Sequence, residues 1–508
     1  MHRSICRNFS LFVLALAAAG SQPLAATNYS IVTQADDLTV NGNCTLREAL
    51  AAADTNFTFD LCPAGSPGGL DTITLAAGTY SLPLGSLVLE SPQEIGVRGP
   101  ETDPPSATIS GGAAHRIFDL SGGGRLTLQD LEIRDGSELL TPQPIGGAVR
   151  AIAASLTVRR VRFVANVARR GGALGWVGTG PGHSLTVEAS RFEQNEAQNP
   201  SLSDQAHGGA IWGLSAKGSG LRISDSSFVE NRSSSALAND VVTGGALRLD
   251  SEGPGSSVVL ERLRFLDNVA ETTGSGSFPN AGALSAYLRE TEIRIEDLYM
   301  EGNGLGLSPN SGYSALFLLI PSSSTATLDR VSLINNGSSS TGQGIVSAQS
   351  QSIVILRNAL VVGGEDGLVA VATGDATLRL DHLTVAGHLG VGLDLGQGTG
   401  GSLLLENSIA YGNGIDLSID SGAPTVSPEN LVGTDPLFTD AAGGDFTLAS
   451  GSPAVDAGNT ASSSMGPYDL AHAARVVGAG TDLGAFERGG IFNDGFEAAS
   501  AEAWNWPP

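Results

Sequence analysis

Between residues 120 and 415 the chain repeats one pattern of positions: apolar, any, apolar, any, any, apolar or small, any, apolar. It reads Leu126-Leu128-Leu131-Ile133, Leu156-Val158-Val161-Phe163, Leu185-Val187-Ser190-Phe192 and Leu221-Ile223-Ser226-Phe228. It continues as Val258-Leu260-Leu263-Phe265, Ile293-Ile295-Leu298-Met300 and Ala326-Leu328-Val331-Leu333. Degraded copies read Ile353-Ile355-Asn358-Leu360, Leu378-Leu380-Leu383-Val385 and Leu404-Asn407-Ile409. Alternation over such short stretches is the period of a strand, so each copy predicts two short strands joined by a corner. The interval between copies falls from 29–37 residues to 24–27, which means one constant face and loops of differing length. No copy can bury its apolar face alone, so the copies must stack. The expected fold is all-β, a right-handed parallel β-helix (a pectin-lyase-like solenoid) with a short N-terminal capping helix. At ~4.8 Å between strands, roughly ten to fourteen coils make a rod roughly 50–65 Å long.

Two further motifs mark the corners. Three residues after the last inward position stands an asparagine in six copies: Asn166, Asn195, Asn231, Asn268, Asn303 and Asn336. One asparagine per coil at the same corner predicts a structural ladder of stacked amides, and a catalytic role for six separate residues is implausible. On the opposite side stand Gly146-Gly147-Ala148-Val149, Gly171-Gly172-Ala173-Leu174, Gly208-Gly209-Ala210-Ile211, Gly244-Gly245-Ala246-Leu247 and Ala281-Gly282-Ala283-Leu284. Paired glycines permit a tight corner, and the small Ala lets coils approach closely. No Lys-Ser/Thr or helix start follows them, so they do not fit a phosphate loop.

The alternation of Gly-Gly-Ala-Ile and Phe-x-x-Asn over residues 140–310 resembles the repeats of chlamydial polymorphic membrane proteins, which are β-helical surface adhesins. That resemblance implies a repeat architecture and no particular ligand. The family's C-terminal barrel has no counterpart expected here. Near the start, Cys44-Thr45-Leu46-Arg47-Glu48-Ala49-Leu50 predicts a short helix with Thr45 and Glu48 placed for a capping box. Leu46, Ala49, Leu50 and Ala53 form one apolar stripe, suited to covering an open β-helix end. This segment is similar to the CSLREA domain of exported bacterial β-helix proteins, with Thr45 in place of Ser. Near the end, Asp435-Pro436-Leu437-Phe438, Asp445-Phe446-Thr447-Leu448, Ser452-Pro453-Ala454-Val455-Asp456-Ala457-Gly458 and Asp482-Leu483-Gly484-Ala485-Phe486-Glu487 resemble the closing segment called choice-of-anchor Q. The last stretch, Ile491 to Trp504, resembles short tails on exported proteobacterial proteins, which implies sorting or a Gram-negative source. The expected division is 1–26 signal peptide, 27–100 CSLREA-like cap and first coils, 101–418 β-helix, 419–488 closing segment and 489–508 tail.

Composition supports export. Arg3 and Arg7 precede the apolar run Leu11 to Ala19, and Leu24-Ala25-Ala26 offers a cut before Thr27. A membrane anchor would need roughly 20 apolar residues, so no transmembrane span is expected in the mature chain. Glycine is 68 of 508 residues, close to twice the usual ~7%. Charged residues are only 16%, against roughly 25% in average domains, as suits many tight turns. Loss of Arg3 and Arg7 takes the net charge from −25 to −27, which disfavours nucleic acid and anionic lipid as partners. Cys44 and Cys62 then remain, and a pair in an exported chain reads as one disulfide.

Many parallel β-helices cleave acidic polysaccharides, and their sites carry recognisable residue sets. Polygalacturonase-like sites present an Asn-Thr-Asp run, an Asp-Asp pair, Gly-His-Gly and Arg-Ile-Lys. None of the four is expected here, and His388 in Gly387-His388-Leu389-Gly390 falls at the ladder position. Asp381 and His382 are adjacent on a corner without an evident third partner. Carboxylates align in one column, Glu188, Glu261, Glu296, Asp329 and Asp381, with Arg262, Asp297, Arg330 and Arg357 assigned to the next position. The favoured reading is a solvated salt-bridge ladder on an outward corner; the sharper one is a strip for cations or glycan. Asp435, Asp440, Asp445, Asp456, Asp469 and Asp482 leave a Ca²⁺ site open without any fixed loop spacing. Cys and His do not cluster as for zinc. The expectation is therefore an exported, non-catalytic surface or secreted protein acting in adhesion, with no catalytic residue, cofactor or metal ligand assigned. Its expected partner is a polysaccharide or a cell-surface protein. The alternative is a polysaccharide lyase or hydrolase, Ca²⁺-dependent or not, with its site in loops between coils.

Overall fold

The computed structural model describes residues 26–139, 144–200, 205–306, 312–337 and 342–489. The expected signal peptide before Ala26 and the tail from 490 onward lie outside the described residues. The chain is a right-handed parallel β-helix. In one coil, Ser155–Val164 forms two short strands about Arg160, whose φ of 49° turns the chain. Val167–Ala168 adds a short strand to a second side, and Leu174–Gly178 supplies a third side before the chain returns as Ser184–Glu188. Register carries the pattern from coil to coil: Leu126, Leu156, Leu185, Leu221 and Val258 lie side by side. Twelve strands from Leu87–Leu89 to Ile415–Ser421 stack into the sheet on the third side. At ~4.8 Å per step this makes a rod roughly 50 Å long.

Alternation sorts the side chains. Leu156, Val158, Val161 and Phe163 are buried, while Arg159 points out. Phe163, Phe192, Phe228 and Phe265 stack with ring centroids 4.9, 4.9 and 4.8 Å apart, the coil spacing itself. Each fully buried ring or aliphatic side chain stabilises the rod by about 1.5–3 kcal/mol relative to exposure. At the glycine corner, Gly171 has φ 61°, and a Cβ on Gly172 would stand 2.2 Å from the Gly209 carbonyl oxygen. Only glycine fits between backbones that close. Asn166, Asn195, Asn231, Asn268, Asn303 and Asn336 are fully buried, each Nδ2 donating to the next Oδ1 at 2.9–3.0 Å. Beyond Asn336, Gln343 Oε1 accepts the last amide at 2.9 Å.

Two degraded copies pack one residue out of the frame read from the sequence. Register places Val354, Leu356, Ala359 and Val361 inside, with Ile353 half exposed. Likewise Leu403 and Leu405 face inward, and Ile409 faces outward. Arg357 accordingly lies beside Asp329 and Asp381 in the carboxylate column, and Asn358 takes the corner.

The two ends are treated differently. At the N-terminal end, helix Leu46–Thr55 lies over the first coils, with the Thr45/Glu48 capping box formed and Leu46, Ala49, Leu50 and Ala53 buried. A Cys44–Cys62 disulfide ties its entry, and Arg47 fixes it through Asp36 at 2.6 Å and the carbonyl of Ser86 at 2.9 Å. Among the described residues no segment closes the far end after the last coil. The chain makes the hairpin Phe438–Asp440 with Asp445–Leu448 and returns along the flank of the final coils. There Leu470, Ala485 and Phe486 cover Leu360, Val362 and Ala386, and Leu448, Ala454 and Leu483 cover Ile409.

Candidate functional site

Three places bring together side chains that could do chemistry. The first is the Asp381–His382 corner. The returning segment supplies the third partner that the sequence lacked: His382 Nδ1 lies 2.7 Å from Asp381, and Nε2 lies 3.0 Å from Thr481 Oγ1. Asp381 also accepts from Asn407 at 2.9 Å and Ser462 at 2.7 Å. The arrangement has the order acid–imidazole–hydroxyl, yet Asp381, His382 and Thr481 are all fully buried. Burial and the nearby Arg475 hold the imidazole below its usual pKa. Burial would raise Asp381, but hydrogen bonds and the imidazole outweigh it and hold the carboxyl low. With no solvent path to Thr481 Oγ1, the group ties the flank segment to the corner and has no room for a substrate.

The second is the charged column. Its open part is a run of ion pairs: Glu188 with Arg159 at 3.0 Å, Glu261 with Arg222 at 2.5 Å, and Glu296 with Arg294 at 2.8 Å. From Asp297 onward it is not a solvated ladder, because the returning segment covers it. Asp329 is buried between Arg330 and Arg357, each at 2.9 Å, and His472 reaches Asp297 at 2.9 Å. His388 stands in the amide ladder: its backbone amide donates to Asn413 at 3.0 Å and Nε2 lies 3.2 Å from the Val361 carbonyl. The aspartates of the returning segment hold its own backbone. Asp456 accepts from Ala479 and Gly480 at 2.8 and 2.9 Å, Asp469 from Ala473 and Glu487, and Asp482 from Asp456 and Arg488. Asp435, Asp440 and Asp445 each accept an amide two or three residues on. Among the described residues no group of three or more His, Cys, Asp or Glu is placed to hold a metal ion. Contrary to expectation an Asp-Asp pair does occur, Asp36–Asp37, but it lies by the N-terminal helix, where Asp36 binds Arg47 and Asp37 accepts from Thr39.

The third is the outer face of the twelve-stranded sheet. Strand register aligns Trp212, Arg248, Ser285, Phe317, Ile345, Val369 and Asp394 in one column. Leu214, Asp250, Tyr287, Leu319, Ser347 and Val371 form the next. Their neighbours Leu247, Leu249, Leu316, Leu318, Leu368 and Ala370 are the buried, inward set. The outward residues therefore make a strip that changes character along the rod. At one end Arg248 pairs with Asp250 at 2.6 Å, and Trp212 Nε1 donates to Asp250 at 3.2 Å beneath the Arg170 guanidinium. In the middle the half-buried Phe317, Leu319, Ile345, Val369 and Val371 are apolar. At the far end the strip runs into a cavity of about 260 Å³ lined by Tyr313, Gly342, Asp366, Gly367, Val369, Val391 and Asp394 among others. Burial and Asp394 push the Tyr313 hydroxyl upward in pKa, so it stays a proton donor at neutral pH.

No family model matches the chain, and no curated protein matches it. Among solved structures it is similar to PfbA, a surface adhesin of Streptococcus pneumoniae, at 11% identity over 79% of this chain and 92% of that one, TM-score 0.34. A PL6 alginate lyase in complex with a trisaccharide is 12% identical over 83% and 88%, TM-score 0.36. The pectate lyase Pel9A is 11% identical over 92% and 97%, TM-score 0.31.

The sequence did not single out this face. Its signal was present in Trp212, Tyr287, Phe317 and Ile345, bulky residues at the outward positions of strands whose inward positions were already filled. No helix among the described residues is long and apolar enough to cross a membrane.

Proposed function

We propose that the protein is an exported, non-catalytic binding protein that engages an extracellular polymer through the outer face of the twelve-stranded sheet. The observation that carries this reading is the in-register strip from Trp212 to Asp394, whose middle, Phe317, Leu319, Ile345, Val369 and Val371, is apolar between polar ends. Contiguous apolar surface framed by polar residues is what interaction sites look like, and a rod presents it as a long, flat platform for a polymer. The Cys44–Cys62 disulfide suits an oxidising compartment outside the cytoplasm. In this reading the N-terminal helix and disulfide form the CSLREA-like cap, and the returning flank segment is the choice-of-anchor Q-like part.

A polysaccharide-cleaving reading has one observation in its favour: Asp366 and Asp394 line the same cavity. Among the described residues no Arg or Lys lines it to serve as the base a lyase uses on a uronate, so hydrolysis is the form that reading would take. Incubation of the mature protein with acidic and neutral polysaccharides, with Ca²⁺ and with chelator, separates the two. Retention on a polysaccharide without products is expected. New reducing ends or unsaturated products would replace the binding reading with an enzymatic one.

A further inference from the structure

The cavity at the end of the strip owes its existence to one missing side chain. Tyr313, Gly342 and Asp366 follow one another in register on adjacent strands, and Val391 stands on the next strand with its amide on Asp366. Glycine at the second place opens a gap between the Tyr313 ring and the Asp366 carboxylate. A Cβ there would stand 3.3 Å from Tyr313 Cδ1, so any larger side chain would close it. Its φ is not in the left-handed region, so turn geometry does not require this glycine.

The walls differ in chemistry. One is the Tyr313 ring, tilted 43° to Phe317 with centroids 6.1 Å apart. Val369 and Val391 supply aliphatic surface. Asp366 uses one oxygen on the Val391 amide at 2.7 Å. Asp394 Oδ1 is out of solvent and has no hydrogen-bond partner among the described residues. A buried acceptor without a donor is costly, at roughly 1–3 kcal/mol, unless something supplies one. A volume of about 260 Å³ lies just below the roughly 300–1,000 Å³ of pockets for drug-sized ligands, and so suits a small ring.

We infer that this cavity is a saccharide subsite for neutral or amino sugars, and that it disfavours uronates. The inference rests on the binding-face reading and names the ligand class for one end of that face. The Tyr313 ring offers a flat surface to the apolar face of a pyranose. The two carboxylates accept hydrogen bonds from hydroxyl groups, and from an ammonium with added charge attraction. A uronate would bring a third carboxylate into a cavity that no Arg or Lys among the described residues lines. Like charges so placed repel strongly where water is scarce.

Calorimetric titration of the full mature chain with hexamers of glucosamine, glucose (β-1,4-linked) and galacturonate tests this. The glucosamine and glucose hexamers should bind, the former about tenfold more tightly at low salt, with that gap narrowing as salt screens the carboxylates. The galacturonate hexamer should bind at least about tenfold more weakly than either. Asp394→Asn and Asp366→Asn should each erase the preference for glucosamine, and Gly342→Leu should abolish binding by filling the gap; melting curves establish that each variant is folded. Equal or tighter binding of galacturonate overturns the assignment, as does binding that none of the three variants changes. If Trp212→Ala alone weakens a glycan, the face reading stands and the cavity assignment falls. If no hexamer binds, the cavity assignment falls, whereas the face reading falls only on polysaccharide turnover.

Discussion

One outward column of the first sheet, followed from coil to coil, reads Arg162, Arg191, Ser227, Arg264, Tyr299, Ser332, Leu360, Thr384 and Ile409. The backbone environment is the same at every step. At the early end Arg162 spans Glu132 at 2.6 Å and Glu193 at 2.8 Å on open surface. At the late end Leu360 and Ile409 are buried under the returning segment. The residue at such a position is thus chosen by what lies outside the rod, and not by the strand that carries it. An apolar residue at an outward solenoid position reports a cover, as at Leu360, or, on the reading proposed above, a binding face without one, as at Phe317.

The strongest way to break this comparison is to remove the cation buried beneath the cover. Arg475 donates to the carbonyls of Gly484 and Ala485 at 3.1 and 2.9 Å and to Asn358 across the interface, with Glu487 at 3.8 Å. Arg475→Ala leaves those acceptors unpaired and should destabilise the flank segment by about 3–5 kcal/mol. Hydrogen exchange should show amides of 452–487 losing protection while those of the early coils keep theirs. Uniform loss across the rod would mean that the segment is not a separable cover.

Leu360→Ala is next. Although it faces outward, the change should cost about 2–5 kcal/mol, as for a core leucine. Ser227→Ala in the same column should stay within about 0.5 kcal/mol. Denaturant unfolding that found the two alike would remove the basis of the comparison.

The same cover explains what the sequence did and did not make legible. From Leu126 to Leu333 the frame is legible because most outward neighbours are polar, so alternation has one answer. In the copies at 353–362 and 403–410 both faces are buried, Leu360 and Ile409 on the outside and Val361 and Leu405 on the inside. Period-2 contrast vanishes there, and the frame slipped by one. Arg357 was misplaced by that slip, and with it the corner residue Asn358. Thr481, the partner of His382, lies 99 residues further on. No local pattern joins them. The Cys44–Cys62 pairing and the Thr45/Glu48 cap were legible because their spacing is local. The strip from Trp212 to Asp394 was present in the sequence but hidden, because bulky apolar residues in a strand read first as core.

Protonation gives a finer test of the covered end. Burial pushes the Glu487 carboxyl up to about 7, while the amides of Asp482 and Val477 and the Arg475 guanidinium pull the other way. A carboxyl with a raised folded-state pKa contributes stability that is full below its unfolded value near 4.5 and is lost as pH rises through the folded value. Asp469 and Asp482, raised by burial, have the same sign. His382, lowered by burial, has the opposite one, losing stability as pH falls through its unfolded value. Glu487→Gln isolates one group: its stability relative to the parent chain should rise between pH 4.5 and 7 and level off above. Proteolysis rates at the flank segment, measured across that range, check it. A pH-independent difference would show that Glu487 titrates as it does in the unfolded chain.

The smallest effect belongs to the open end. Arg159 and Glu188 meet at 3.0 Å with side chains 47% and 41% exposed. Glu188→Gln removes one charge from a pair that water and salt already screen, and should cost about 0–1 kcal/mol, falling toward zero in about 1 M salt. The contrast with Arg475 is the point of the measurement. Both are arginine–carboxylate contacts, one on outward positions of the open rod and one within the segment packed on its flank, and the difference in cost should follow burial. A cost at Glu188 that persisted in high salt would mean that the early column is itself covered, and that the ion-paired surface there is an interface still missing its partner.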